Sequence, residues 1–431
     1  MKFLIWLVTT IAVVAVLAAW VFLPWSALII VVAIGLVALG ATSRGRQALQ
    51  IARLGVGTLR QRLGASLVIF VGIAGVVGVL VALQAMAIGF QATFQASGNA
   101  HTAIVLSSGS DSEIASGIDR SSIPLIDEAP GIAKDSQGRP IASPEIVVVA
   151  SLKNRINGAG ANLEVRGVGP EVWHIYSGLK IIKGRRFKPG LRELIVGEGA
   201  EKQFSGLGIG QRVLLGQQPW TIVGVFKSRG ANDSELWGDN ETVASAFRRD
   251  AFSSVVLQLE SPNDLGRVNA WLAGNPELRV KAETTKSYYA QQSKALTMTI
   301  KLVGVAVALI MAIGAIFGAL NTMYAAVESR AREISTLRAI GFEGATVVIA
   351  VLLEALALAF LGGTAGALAA WLVFHGYTVS TVSSSFNQVV FKFAVTPELM
   401  LTGLRWALAI GLLGGVFPAL RAARTCTIRT R

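Results

Sequence analysis

Six apolar runs decide what this chain can fold into. They lie near residues 3–23, 25–41, 66–88, 297–325, 345–374 and 399–420, and each reaches or approaches the roughly 20 helical residues that cross a hydrocarbon core. Between 96 and 290 the pattern changes to short β-like runs separated by turns, as in a water-soluble domain. The balance of 52% hydrophobic and 15% charged residues fits that mixture, being too apolar for a soluble protein and too polar for one wholly in lipid. As one helix, residues 3–41 would be roughly 60 Å long, twice the bilayer core. Leu23-Pro24-Trp25 is therefore read as the turn of a hairpin. A cleaved signal peptide is the rival reading. It is disfavoured because only Lys2 precedes the run and the run exceeds the usual apolar length of about 7–15 residues.

The placement of charge gives the orientation. No acidic residue precedes Asp111, yet Arg44, Arg46, Arg53, Arg60 and Arg62 all lie before it, and Arg421, Arg424, Arg429 and Arg431 end the chain. Basic residues beside spans mark the cytoplasmic side, so 44–62, 328–338 and 421–431 are cytoplasmic and the soluble domain is extracytoplasmic. That domain carries 22 Lys/Arg against 21 Asp/Glu. The net charge of +13 is therefore a topology signal, and nucleic acid is excluded as a partner because its basic footprint would cluster on a folded face. Cys426 is the only cysteine, and His101, His174 and His375 are scattered. Neither a disulfide nor a thiolate or histidine metal cluster is expected.

The expected fold is a membrane protein with an α-helical transmembrane core and an inserted α+β extracytoplasmic domain. Its parts are an N-terminal transmembrane hairpin (1–43), a cytoplasmic amphipathic helix (44–63), a span (64–90), the α+β domain (91–291), a second span (292–326), a cytoplasmic helical link (327–344), a third span (345–375), an extracytoplasmic link (376–397), a fourth span (398–420) and a basic tail (421–431). In the amphipathic segment Arg46, Arg53 and Arg60 recur every seven residues opposite Leu49, Ala52, Val56, Leu59 and Leu63, a pattern suited to lying among membrane lipids with arginines at the headgroups. Strands are predicted at 101–106, 145–152, 163–168, 193–197, 211–216, 220–226 and 253–260. Helical patterns occupy roughly 112–130, 198–206, 240–250 and 262–274.

Three features of the spans and links can carry function. Gly72, Gly75 and Gly78, and the GxxxG pairs Gly314/Gly318 and Gly362/Gly366, have the spacing that lets helices approach closely in lipid, within one chain or between two copies. Glu354 sits inside the third span, either as a functional intramembrane carboxylate or as the partner of an arginine near the interface. The link NTMYAAVESRAREISTLRAIG (321–341) combines Glu328, Arg330, Arg332, Glu333 and Arg338 with Ile334, Leu337 and Ile340 at helical spacing. Arginines alone would account for topology. The apolar set calls for something to pack against, and a soluble partner is one candidate. The chain has no GxxxxGK[ST] phosphate loop, HExxH or GxSxG motif, so neither nucleotide hydrolysis nor another catalytic activity is expected here.

Four blocks together resemble the permease subunit of an ABC transporter of the MacB/FtsX type. They are the basic lead into span 66–88; VRGVGPEVW, KGRRFKPG, ELIVGEGAEKQF and IGQRVLLGQQPWTIVGVF between 165 and 226; SRAREISTLRAIG (329–341) followed by LLEALALAFLGGTAGAL (352–368); and GLLGGVFPALRAAR (411–424). ALNTMYAAV (319–327) and DSELWGD (233–239) are similar to one subgroup of such permeases. The resemblance implies a four-span core in the inner membrane and a coupling helix holding Glu328, Arg330, Arg332, Glu333, Leu337, Arg338, Ile340 and Gly341. It also implies two copies of an ABC ATPase partner that bind ATP and Mg, with no cofactor in this chain, and a second permease copy. Its branches are efflux of a small hydrophobic molecule or peptide with a periplasmic adaptor and outer-membrane channel, extraction of lipoprotein or lipid, and FtsX-like regulation of an external hydrolase. Three departures stand out. Ser329 occupies the place of the usual glutamate, TCTIRTR (425–431) replaces the usual ending, and the 3–41 hairpin is an addition.

Overall fold

The computed structural model describes residues 20, 23–57, 63–155, 157–228, 230–275, 277–382 and 388–424. The first limb of the expected hairpin up to residue 19, Leu59, Arg60 and Arg62 of the amphipathic segment, and the tail 425–431 with Cys426 lie outside the described residues. The chain divides into two compact units. The first comprises Met1–Ala85, Ile300–Gly376 and Ala394–Arg431, and the second Met86–Thr299 and Tyr377–Phe393.

The helices of the first unit begin with α1 (Trp25–Ala41), which starts directly after Pro24. Proline suits this boundary because it cannot donate a backbone hydrogen bond from within a helix. Thr42 closes α1 and opens α2 (Ser43–Gly57). Its hydroxyl donates to the Ala38 carbonyl at 2.6 Å and accepts from the Gly45 amide at 3.0 Å, satisfying groups that helix ends leave unpaired. Among the described residues four helices are long and apolar enough to cross a membrane, the spanning stretches being Ser66–Ser97, Thr285–Ser329, Gly344–Phe374 and Pro397–Ala423. They belong to α3 (Leu63–Ser97), α6 (Thr285–Ser329), α8 (Gly344–Phe374) and α9 (Pro397–Arg424).

The glycine pairs differ in what they face. A Cβ on Gly362 would lie 2.9 Å from the Phe70 carbonyl oxygen, and one on Gly366 would collide with the backbone of Ala74. This pair therefore brings α8 onto α3 within one chain. Gly72 and Gly75 have ordinary room beside Ala315 and Met311, and Gly314 and Gly318 face open space. Gly366→Val should force α8 off α3, an overpacking cost of about 1–3 kcal/mol, while Gly314→Val should leave the isolated chain unaffected. Thermal stability of the two variants in detergent checks the contrast.

The second unit is built on a mixed ten-stranded sheet ordered β10-β1-β9-β2-β3-β8-β5-β7-β4, with β6 paired to β7. The strands are β1 (Thr102–Ser107), β2 (Ala142–Lys153), β3 (Gly160–Val168), β4 (Lys180–Gly184), β5 (Glu193–Gly197), β6 (Arg212–Leu215), β7 (Gln218–Lys227), β8 (Glu235–Asp239), β9 (Ser254–Gln258) and β10 (Val280–Thr284). β3–β8 and β5–β7 are parallel pairs and the others antiparallel. All seven expected strands are present, while β4, β8 and β10 were not anticipated. Of the longest helical expectation, 112–130, only Ile123–Asp127 is α-helical. One core packs α4 (Asn240–Phe247) on the β2–β3–β8–β5–β7 side through Leu163, Leu194, Ile222 and Val243. Another packs α5 (Leu265–Gly274) on β1, β9 and β10 through Val105, Val255, Val268 and Leu272.

A third core of this unit joins Phe90 and Phe94 of α3 to Tyr288 and Tyr289 of α6, with Val389 and Phe391. The last two come from a hairpin, β11 (Thr378–Val382) and β12 (Gln388–Lys392), within the segment read from sequence only as a link. Along β12 the buried residues are Val389 and Phe391, the period-two alternation of a half-buried strand.

Candidate functional site

The cytoplasmic link breaks from α6 at Ser329, whose hydroxyl donates to the Ala326 carbonyl at 2.9 Å. Helix α7 (Ala331–Ala339) follows. It ends where the Gly341 amide donates to the Arg338 carbonyl and the Phe342 amide to the Leu337 carbonyl, both at 3.1 Å. Gly341 has φ +105°, a conformation that side chains oppose and glycine permits. The result is a Schellman stop, after which α8 begins within three residues.

The eight predicted link residues divide by direction. Ile334 is buried with Val327, Val347 and Ala422, and Leu337 lines a cavity of about 120 Å³ with Ile51, Met323 and Ile334. Arg330 turns inward, its Nη1 lying 3.0 Å from Glu354 Oε2 with side-chain exposures of 16% and 11%. Glu354 therefore faces the first arginine of the link. Arg338 donates to the Ala423 carbonyl at the end of α9. Glu328, Arg332, Glu333 and Ile340 face outward, and Ile340 is 72% exposed. Glu343, just past Gly341, pairs with Arg44 of α2 at 2.9 Å. The link thus has an inner face that seats it on its own spans and an outer face of two carboxylates, one guanidinium and one bare isoleucine.

Two further constellations were missed in the sequence. Arg405, inside α9, donates to the carbonyls of Trp20 at 2.9 Å and Leu23 at 2.8 Å. Its signal was present, since a cation inside a membrane span needs a partner.

The other is in the extracytoplasmic unit. The buried Arg166 guanidinium donates to Glu113, Glu145, Glu164 and Glu235 at 2.8–2.9 Å at closest. Glu113 also accepts from Ser254 Oγ at 2.6 Å, and Glu235 from Trp237 Nε1 at 2.6 Å. Glu145 Oε1 is buried with no hydrogen-bond partner among the described residues. Burial, reinforced by Glu113 and Glu235 and opposed by Arg166, pushes the Glu145 carboxyl up to about 7. Burial and then Glu235 push Glu164 up as well. Burial would pull the Arg166 guanidinium down, but the surrounding carboxylates win and hold it well above its ordinary range.

This has a consequence for stability. The folded state keeps a proton on Glu145 that the unfolded chain releases near 4.5. The stabilisation is complete below that pH and is lost as pH rises to about 7, where the difference amounts to about 3 kcal/mol. Half-buried Asp127, pushed up by burial to about 6, acts in the same direction. Thermal unfolding of the full chain in detergent should fall in midpoint from about pH 5 to pH 8, and Glu145→Gln should flatten most of that slope.

Comparison with known proteins identifies the architecture. The model of the MacB-like periplasmic core domain matches residues 63–274, and that of the FtsX-like permease C-terminal region matches residues 305–425. The chain is an ABC-transporter permease of the MacB/FtsX type. As such a permease it is a multi-pass inner-membrane protein whose α+β domain is extracytoplasmic. It is 27% identical over 290 residues to the macrolide export ATP-binding/permease protein MacB of Chromobacterium violaceum, covering 63% of this chain and 43% of that protein. It is 25% identical over 301 residues to the protein of the same name from Escherichia coli, covering 65% and 45%. The permease chain thus spans less than half the length of these curated relatives. Among solved structures, the extracellular domain of the noncanonic ABC-type transporter YknZ from Gram-positive bacteria aligns with TM-score 0.32 and 20% identity, over 42% of this chain and all of that one. The periplasmic region of MacB from Actinobacillus actinomycetemcomitans aligns with TM-score 0.34 and 12% identity, over 45% and 94%.

Proposed function

We propose that this chain is the permease subunit of an export machine, in which two copies of a separate ABC ATPase, with ATP and Mg bound to them, drive two permease copies through α7. The carrying observation is the outer face of α7. Arg332 stands ready for a carboxylate, Glu328 at the end of α6 for a basic group, and the exposed Ile340 for an apolar groove, the mix of charged rim and apolar anchor that protein interfaces use, while Glu333 lies 3.8 Å from Arg330. The inner face supports the same reading. Ile334, the Arg330–Glu354 pair and Arg338 fasten α7 to α8 and α9, so displacement of α7 is passed to the spans. Such a cycle needs an element with two arrangements that nucleotide biases differently, and α7 with its two flanking spans is that element.

The names of the relatives, macrolide export proteins, support the cargo class read here. Efflux of a small hydrophobic molecule or peptide, with a periplasmic adaptor and outer-membrane channel, is the favoured branch. Lipoprotein or lipid extraction and regulation of an external hydrolase are the alternatives. Extraction of the tagged chain from its native membrane in mild detergent, followed by identification of co-purifying proteins, tests the reading. A stoichiometric ABC ATPase is expected, and an adaptor beside it favours efflux. An intact permease with no ATPase would overturn the proposal.

A further inference from the structure

The cavity of about 120 Å³ beside Leu337 plays no part in the docking of an ATPase on the outer face of α7. It is walled by four helices of one unit. Met323 and Val327 come from the last two turns of α6, which ends at Ser329. Val347 and Val351 come from the first turns of α8, which starts at Gly344. Ile51 of α2 and Leu337 of α7 close the remaining sides. The cavity therefore lies at the cytoplasmic ends of two spans, behind the link and beside the amphipathic helix whose pattern suits it to lie among lipids.

Its walls decide what it can take. The lining is aliphatic apart from the Met323 thioether and the charged residues at one end, and Ala326 and Ala350 leave room where a longer side chain would reach in. Met323, Val347 and Ala350 are buried, so this space belongs to the interior. At the charged end Arg330 and Glu354 answer each other at 3.0 Å, and a paired wall of that kind suits a ligand without net charge. An aliphatic cavity of roughly 150 Å³ stays dry and takes in benzene or xenon. A group seated in such a space makes dispersion contacts that its lining would otherwise forgo. The volume here has room for one hydrocarbon ring or the end of one chain.

We propose that this cavity is a binding site for a neutral hydrocarbon group, a single ring or one chain end, and that its occupancy holds α7 seated on α8. A group in the cavity touches Leu337 on the link side and Val347 and Val351 on the span side. Tilting α7 away removes the first of these contacts, so the ligand binds the seated arrangement more tightly and shifts the population toward it. Two sources can supply the same chemistry at this depth, the acyl chain of a cytoplasmic-leaflet lipid and a dissolved small apolar molecule. Binding there needs no ATPase and stands or falls apart from the export reading.

The test uses the full chain in lipid nanodiscs, labelled with carbon-13 at its six methionine methyl groups. Met323 lines the cavity, whereas Met298 is exposed and serves as the control; Met323→Leu assigns the reporter signal. Benzene is the probe. It should shift the Met323 methyl saturably, while Met298 changes only in proportion to dose. At benzene ten times its Kd, the opening constant of the α7 amides in hydrogen–deuterium exchange should fall about tenfold. Ala350→Leu, which places a side chain in the same space, should abolish both responses. If that variant does not fold, Leu337→Ala decides, since the enlarged cavity should take naphthalene, which the wild type excludes. Magnetisation transfer from lipid acyl protons to the Met323 methyl, lost on adding benzene, would support the site with a lipid as its source. A saturable benzene shift without that transfer would support it with a free small molecule as the source. A Met323 methyl that follows Met298 at every dose, or that contacts water alone, would overturn the proposal. So would α7 exchange unmoved by saturating benzene, a saturable shift that survives in Ala350→Leu, or naphthalene refused by Leu337→Ala.

Discussion

Arg166→Leu is expected to unfold the extracytoplasmic domain while leaving the spans inserted. The guanidinium bonds to all four of Glu113, Glu145, Glu164 and Glu235. Breaking one buried ion pair by removing a partner costs about 3–5 kcal/mol, and here one removal breaks four contacts. Proton uptake by the carboxylates offsets part of the loss, so the variant should be least damaged in acid. The domain as a whole has on the order of 5–15 kcal/mol to lose. Limited proteolysis of membranes carrying the variant is the measurement, with cleavage expected within 96–290 and the span fragments retained. A wild-type proteolytic pattern near neutral pH would mean that the carboxylates are neutral without Arg166, and the account of the cluster would be wrong.

The second large effect concerns the outer face of α7. Arg332→Glu combined with Ile340→Asp should weaken association with the ATPase by several hundredfold, taking about 2 kcal/mol for each anchor. Both side chains face away from the inner contacts of α7, so insertion in the membrane and the Arg330–Glu354 pair should survive. Titration of the purified ATPase onto permease in nanodiscs measures the change. Arg338→Glu is a different experiment from its neighbours, since Arg338 is engaged with the Ala423 carbonyl, and it should loosen the seat of α7. Affinity undiminished by the double substitution would remove α7 as the docking element.

These two predictions differ in how far the sequence could support them. The helix of the link was legible because Ile334 and Leu337 recur at helical spacing between two apolar runs. Its division into inner and outer faces was not, because that depends on Glu354 and Ala423, which belong to other helices. Strand β5 was legible as an apolar run between turns. Strand β8, Glu235-Leu236-Trp237-Gly238-Asp239, was not, because the charged Glu235 that marks it as a loop is an inward residue paired with Arg166. Strand β10 carries Lys281 and Glu283, and the β11–β12 hairpin shows serine and threonine to one side, so neither has the apolar density that identifies a strand. The four glutamates of the cluster are far apart in sequence, and the pairing in the sheet is what brings them together.

Arg405 has a bearing on any attempt to reduce this permease to the four-span core that its family requires. Its guanidinium is anchored on the carbonyls of Trp20 and Leu23, so cutting away the first 43 residues would strip those acceptors and strand a cation inside a membrane-length helix. Loss of activity in such a shortened protein would then report a solvation fault in α9 and say nothing about the purpose of the residues removed. The informative deletion carries Arg405→Leu with it, and the difference between the two truncated forms separates any task of the N-terminal residues from their part in solvating a buried charge.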